Sequence, residues 1–209
     1  IYSGPVAGHA YARLRRTGRV VLAGPAHFVA VDGIAAPVAD LWRTPLGEVE
    51  IDQQAIGDLA VVRDDYPHAP EHSLEVQLPF LQEVLGDFTL VPLVVGDASP
   101  EEVAAVLERV WGGPETLIVV SSDLSHFHGY AQAREIDRAS ADRILALDGP
   151  LDHEEACGAT PINGLLLCAR RRGLAPELID LRNSGDTAGD RSRVVGYASF
   201  AFAGKRAHG

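Results

Sequence analysis

The 209-residue chain has no methionine and only two cysteines, Cys157 and Cys168. Two thiols so close in sequence cannot make a disulfide framework, and their scarcity fits a reducing cytoplasm. Gly158 and Pro161 argue against one helix joining them. No apolar run approaches the roughly 20 residues of a membrane-crossing helix, and no signal peptide is visible, so no membrane association is expected. Positive charge is also scarce: 18 Lys and Arg face 29 Asp and Glu, for a net charge of −11. That balance argues against a basic nucleic-acid or anionic-lipid surface. Arg170-Arg171-Arg172 reads as a solvated helix end. A chain that opens at Ile1 without any methionine is expected to have its natural N-terminus upstream. Internal repeats and low-complexity linkers are absent, and the length suits one domain.

What is present is an alternation of strand-like and helix-like segments. Gly4-Pro5 followed by VAGHAYARLRR predicts a helix closed by Gly18. RVVLAG (19–24) is an apolar strand and GPAHF a loop. Residues 29–51 suggest one or two short strands among irregular backbone, followed by a short helix over Asp52–Val61. SLEVQLPFLQEVLG sets Leu74, Leu78, Leu81 and Leu85 on one helical face, with a kink expected at Pro79. FTLVPLVVG (88–96) and TLIVVSS (116–122) are strands. Between them Ser99-Pro100-Glu101-Glu102 is a capping box opening a helix to Trp111. Helices near 130–147 and 161–172 and strands near 177–182 and 194–203 follow. This pattern predicts an α/β fold, a single layered domain with a largely parallel or mixed central sheet flanked by helices. The strands read as continuously apolar, as expected where both faces are covered.

In such folds, sites gather beyond the carboxyl ends of strands. His27 follows the first strand there. Asp123, His126 and His128 follow the strand of residues 116–122. His72, preceded by Glu71, lies where a loop meets a helix, and Cys157 precedes the helix begun by Pro161. Imidazole, thiolate and carboxylate are transition-metal ligands, with thiolate favouring softer ions. An imidazole also titrates near neutrality, so His126 suits general-base work with Asp123 fixing its tautomer. The bland alternatives are loop-capping histidines, a small buried Cys157, and Asp123 as a helix cap or Asx-turn. His9, His68, His128, His153 and His208 read as structural or solvated. No HExxH or CxxC spacing is present. No GxSxG elbow supports a hydrolase built on Ser121 or Ser122 with His126.

The ordered segments YSGPVAGHAY, GPAH, LWRTPLGEVEID, EHSLEVQLPFLQ, VPLVVG, VVSSDLSHFH, CGATPINGLL and GYASFAF resemble the Memo family, whose bacterial and archaeal members are called AmmeMemoRadiSam system protein B. The resemblance spans nearly the whole chain. It implies a fold similar to the class III extradiol dioxygenases, which hold non-haem iron. Carried over by motif, it implies His27 and Cys157 as metal ligands for iron or copper. His126, Asp123 and His72 would be the catalytic residues of the same pocket, and no nucleotide cofactor is implied. The family's first ligand histidine, in a PHAGY motif before YSG, has no counterpart here. With it goes a first core strand, whose loss is expected to leave a gap in the sheet unless another chain fills it. Thiolate in place of the dioxygenases' carboxylate argues against ring cleavage, and any enzyme activity implied is that of a non-haem metal-dependent oxidoreductase of extradiol-dioxygenase type.

Two functional expectations follow. The first is a cytoplasmic metalloprotein with an oxidoreductase-like pocket. The second is a non-catalytic module using that pocket for a peptide or small-molecule ligand. A radical-SAM or other protein partner is implied by the family name.

Overall fold

A computed structural model describes residues 2–204; His208 lies outside the described residues. In chain order the first elements are α1 (Gly4–Tyr11), β1 (Arg19–Pro25), β2 (Ile34–Ala36), β3 (Leu41–Thr44), β4 (Gly47–Ile51), α2 (Gln53–Gly57) and β5 (Val62–Arg63). A 3₁₀ turn at Glu75–Gln77 leads into α3 (Leu78–Leu85), followed by β6 (Thr89–Val95), α4 (Pro100–Val110) and β7 (Thr116–Val120). The chain closes with β8 (His126–His128), α5 (Tyr130–Leu145), α6 (Ala159–Arg172), β9 (Leu174–Asn183), α7 (Ser184–Thr187) and β10 (Val194–Gly204). Two compact units result: Leu14–Ser122 is one, and the rest of the chain is the other.

The Leu14–Ser122 unit is built on a mostly parallel sheet of order β3-β4-β6-β1-β7, with β2 and β5 attached beside β6. β1 pairs in parallel with β6 on one side and β7 on the other. Paired on both edges, it is buried from Val20 to Pro25, which is why its sequence is apolar without alternation. Pro92 sits inside the central strand β6. β4 pairs only at Thr89 and Leu90, and β2 only at Val94 and Val95, so the missing N–H of Pro92 falls where that edge has no partner. Neighbours from β3 to β7 are continuous, and β7 forms an edge among the described residues.

The expected kink at Pro79 is instead a break. A 3₁₀ turn ends at Gln77, and Pro79 stands in the first turn of a new helix, where its missing N–H costs nothing. The leucine stripe is nevertheless real. Leu74, Leu78, Leu81 and Leu85 are each at most 4% exposed. The Ser99 capping box is present, with the Ser99 side chain on Glu102 N–H and the Glu102 side chain returning to Ser99 N–H.

The other unit holds a three-stranded antiparallel sheet, β8-β10-β9, packed by α1, α5 and α6. β8 was not anticipated, because three residues between serine and glycine carry no strand period. The first helix ends at Tyr11 rather than near Gly18. Beyond Tyr11 the run Ala12-Arg13-Leu14-Arg15-Arg16 has only Leu14 to bury, and Arg13 instead pairs with Glu177 at 2.6 Å. Ile144, Leu151, Ala159 and Leu166 form a small core closed by Phe200 and Phe202. Asn163 fixes the loop before Cys157: its amide oxygen accepts from Leu151 N at 2.8 Å and its NH₂ donates to Leu151 O at 2.9 Å.

Candidate functional site

β1 delivers His27 two residues past its end. What brings a second histidine to it is a close approach at Gly24. A Cβ there would lie 2.8 Å from Leu74 Cδ2 and 2.9 Å from Ser73 Oγ. Glycine therefore lets residues 73–74 lie against the strand. Ser73 Oγ then donates to Pro25 O at 2.9 Å, which fixes Glu71 and His72 beside His27.

Glu71 is the knot of this arrangement. Its carboxylate accepts from His27 N–H at 2.6 Å, His27 Nδ1 at 2.9 Å, His72 N–H at 3.0 Å and Ser73 N–H at 2.9 Å. The residue is only 4% exposed. Burial alone would push its carboxyl up, but the donors from His27 and Ser73 outweigh it and hold the group below the usual carboxylate range. An ionised Glu71 accepts the Nδ1–H of His27 and leaves Nε2 directed elsewhere, as in carboxylate–histidine–metal arrangements. The His72 ring stacks on that of His27, centroids 5.0 Å apart and planes 16° apart. Phe28 stands edge-on to both. Ligand atoms of His27, Glu71 and His72 all lie within 4.8 Å of one another.

Asp123, His126 and Cys157 belong to the other unit, where they also gather. Asp123 N–H donates to Cys157 Sγ at 3.2 Å, and Cys157 N–H donates to Asp123 O at 3.3 Å. His126 Nε2 lies 3.9 Å from Asp123 Oδ2, an ion-pair distance beyond hydrogen-bond reach. Burial, helped by the Asp123 charge, pushes the Tyr197 hydroxyl up to about 12, so it stays protonated. Asp137, in α5, supports this segment from below. It is 2% exposed and accepts from Ser125 N–H at 3.0 Å. Burial pushes its carboxyl above the usual range, opposed by the Ser125 donors and the nearby His128 and His126. Sequence reasoning missed it, because an aspartate in the middle of a helix carries no signal of its own.

The remaining expectations place simply. His9 pairs with Asp180 at 2.8 Å, and His153 is exposed. Ser121 Oγ accepts from Gln77 Nε2 at 2.8 Å. Neither cysteine is in a disulfide; Cys168 is fully buried and Cys157 half-buried. None of the helices among the described residues is long and apolar enough to cross a membrane.

A profile of the Memo family, described as Memo-like protein, matches residues 1–201. The chain belongs to the Memo family. A MEMO1 family protein of Methanococcoides burtonii is 38% identical, over 95% of this chain and 81% of its own length. One from Sulfolobus acidocaldarius is 34% identical over 97% and 78%, and one from Archaeoglobus fulgidus is 36% identical over 97% and 82%. The solved structure of the uncharacterized protein JW3007 from Escherichia coli K12 shares the fold, with a TM-score of 0.59 over 94% of this chain and 92% of that one, at 15% identity.

In this Memo-family chain the His27–Glu71–His72 group fits an ion that prefers imidazole and carboxylate. Glu71 is so fully engaged by N–H donors that its part is orientation more than ligation. The lone pair of an imidazole nitrogen lies in the ring plane, so two parallel rings do not converge on one ion. His72 must turn, and a side chain that is 54% exposed is free to do so. The signal for Glu71 was the dipeptide Glu71-His72 itself: a carboxylate next to a histidine at a loop–helix junction.

Proposed function

We propose that this Memo-family protein binds a redox-active metal, iron or copper, through His27 and His72, with Glu71 orienting His27, and that it serves oxidoreductase chemistry. The observation that supports this most is the buried Glu71 carboxylate holding His27 Nδ1 at 2.9 Å, with His72 stacked against the same ring. A bound ion of that kind supplies one-electron chemistry and Lewis acidity. The chain's own residues do the rest. Glu71 fixes the tautomer of His27, and Phe28 stands edge-on to both imidazoles. His126, three residues from Asp123, is the proton-transfer group in this reading. Cys157 is the thiolate that family resemblance adds. A cytoplasmic setting and a radical-SAM or other protein partner complete the proposal.

Metal content and calorimetric affinity for Fe(II) and Cu(I), measured on the chain and on the His27→Ala, His72→Ala and Cys157→Ser variants, test it. Loss of binding in both histidine variants is expected; affinity unchanged in both would end the reading.

A second reading draws on a different feature. A cleft of about 600 Å³ is lined by Trp42, His68, Leu74 and Val76 among others. Leu41 and Val76 at its rim are 52% and 48% exposed. Exposed apolar groups beside a concavity are what a peptide-binding module presents. Binding of partner peptide that survives loss of the metal but not Trp42→Ala would favour this reading over the first.

A further inference from the structure

The segment that carries His126 also carries arginines laid on aromatic rings. The Arg193 guanidinium lies 4.8 Å from the centroid of the Phe127 ring, and that of Arg191 lies 4.3 Å from the Tyr130 ring. Arg134 approaches Tyr130 from 5.7 Å. Among the described residues neither Arg191 nor Arg193 has a carboxylate at ion-pair distance. This is unusual in a chain with 29 acidic and 18 basic residues. Asp186 feels the Arg191 and Arg134 charges, but it and Asp190 are hydrogen-bonded to other groups. Asp186 accepts from the Tyr130 hydroxyl at 2.6 Å and from Asn183 N–H at 3.1 Å. Asp190 accepts from Ser192 N–H and Oγ at 2.9 and 2.8 Å.

Phe127 is itself out of place. It adopts φ of +63°, a region that bulky residues rarely occupy, and its ring is held in solvent, 62% exposed. Burial does not account for this conformation. Its consequence is a ring placed under Arg193.

We propose that Arg191 and Arg193, spread on Tyr130 and Phe127, form a receptor for an oxyanion, a phosphate or a carboxylate. A guanidinium on a ring face is held in one orientation and partly desolvated, while the N–H edge of its fork stays open. Two such edges present the bidentate donors that phosphate and carboxylate accept. The helix that starts at Tyr130 has no acidic residue in its first turn and no capping side chain, so its positive end adds to the same field. The receptor lies wholly within one unit and does not depend on the metal reading.

The test is titration of the whole chain with inorganic phosphate and, separately, with acetate, at constant ionic strength in chloride. Amide shifts of residues 127–130 and 191–193 are followed by NMR. Saturable shifts are expected, and the tighter of the two ions assigns the group recognised. The Arg191→Gln, Arg193→Gln double variant should bind at least about tenfold more weakly, the loss expected for charge-assisted hydrogen bonds. Arg43→Gln should change nothing. Phe127→Gly relieves the backbone and should raise the melting temperature while weakening the ion. Absence of saturation with both ions, or unchanged affinity in the double variant or in Phe127→Gly, overturns the proposal.

Discussion

Glu71 and His27 are joined twice, main chain to carboxylate and ring to carboxylate, at 2.6 and 2.9 Å. Both contacts are strongest with Glu71 ionised, and together they hold the imidazole in one orientation. The candidate metal site follows from that pair, with His72 brought along as the next residue in the chain.

Glu71→Gln tests the pair directly. The amide oxygen can keep the three contacts now made by Oε1 or the one made by Oε2 but not all four, and it lacks the charge. Metal affinity should fall about 10- to 100-fold, the usual effect of removing a carboxylate behind a ligand histidine. The wild-type pair also carries a pH dependence. Because the folded carboxyl titrates below its ordinary value, its contribution is complete above about pH 4.5 and is lost as pH falls through the folded value. The acid limb of the urea midpoint should therefore flatten in Glu71→Gln.

His68 gives a second, separable pH effect. Both ring nitrogens are buried, with no more than a weak approach to the Ala35 backbone to satisfy them. Burial, only partly opposed by Asp65 and Asp64, pushes the imidazole down from 6.5 to about 4. The unfolded chain takes up a proton in that window and the folded chain does not, so stability falls as pH drops from about 6.5 to about 4. The loss is at most about 3 kcal/mol. Urea unfolding of His68→Phe across this range should show the slope removed.

Gly24→Ala should disturb the site without touching a ligand. The added methyl would meet Ser73 Oγ and Leu74 Cδ2 below 3 Å. Overpacking of this kind costs roughly 1–3 kcal/mol. Displacement of residues 71–74 should weaken metal binding at the same time. A variant that loses stability yet binds metal as before would show that Gly24 does not position the site.

Cysteine accessibility separates the two thiols. Cys168 is 0% exposed inside α6, while Cys157 is half-buried in a loop. Brief iodoacetamide treatment of the native chain should label Cys157 alone, and mass spectrometry reads the outcome. Label on Cys168 before unfolding would contradict the packing of α6.

Much of the framework was legible along the chain because its causes are local. The Ser99 capping box, the leucine stripe of Leu74 to Leu85 and the apolar strands β1, β6 and β7 each write their period or their caps into neighbouring residues. Metal-capable side chains after strand ends were visible for the same reason. The shortfalls are those of context. Pro79 broke a helix that its leucine pattern carried through, and α1 stopped where nothing remained to bury. β8 exists because β10 supplies its hydrogen bonds.

By itself, the sequence determined an acidic α/β chain, the positions of most elements and which residues could do chemistry. Hydrophobic period, capping and strand-end position act within a few residues. Tertiary structure alone decided that Glu71 would hold His27, that Gly24 would admit Ser73 and Leu74, and that arginines 64 and 66 residues beyond Phe127 would cover its ring and its neighbour Tyr130. These contacts join distant segments through close packing and buried hydrogen bonds, and no local pattern encodes which remote partner will arrive.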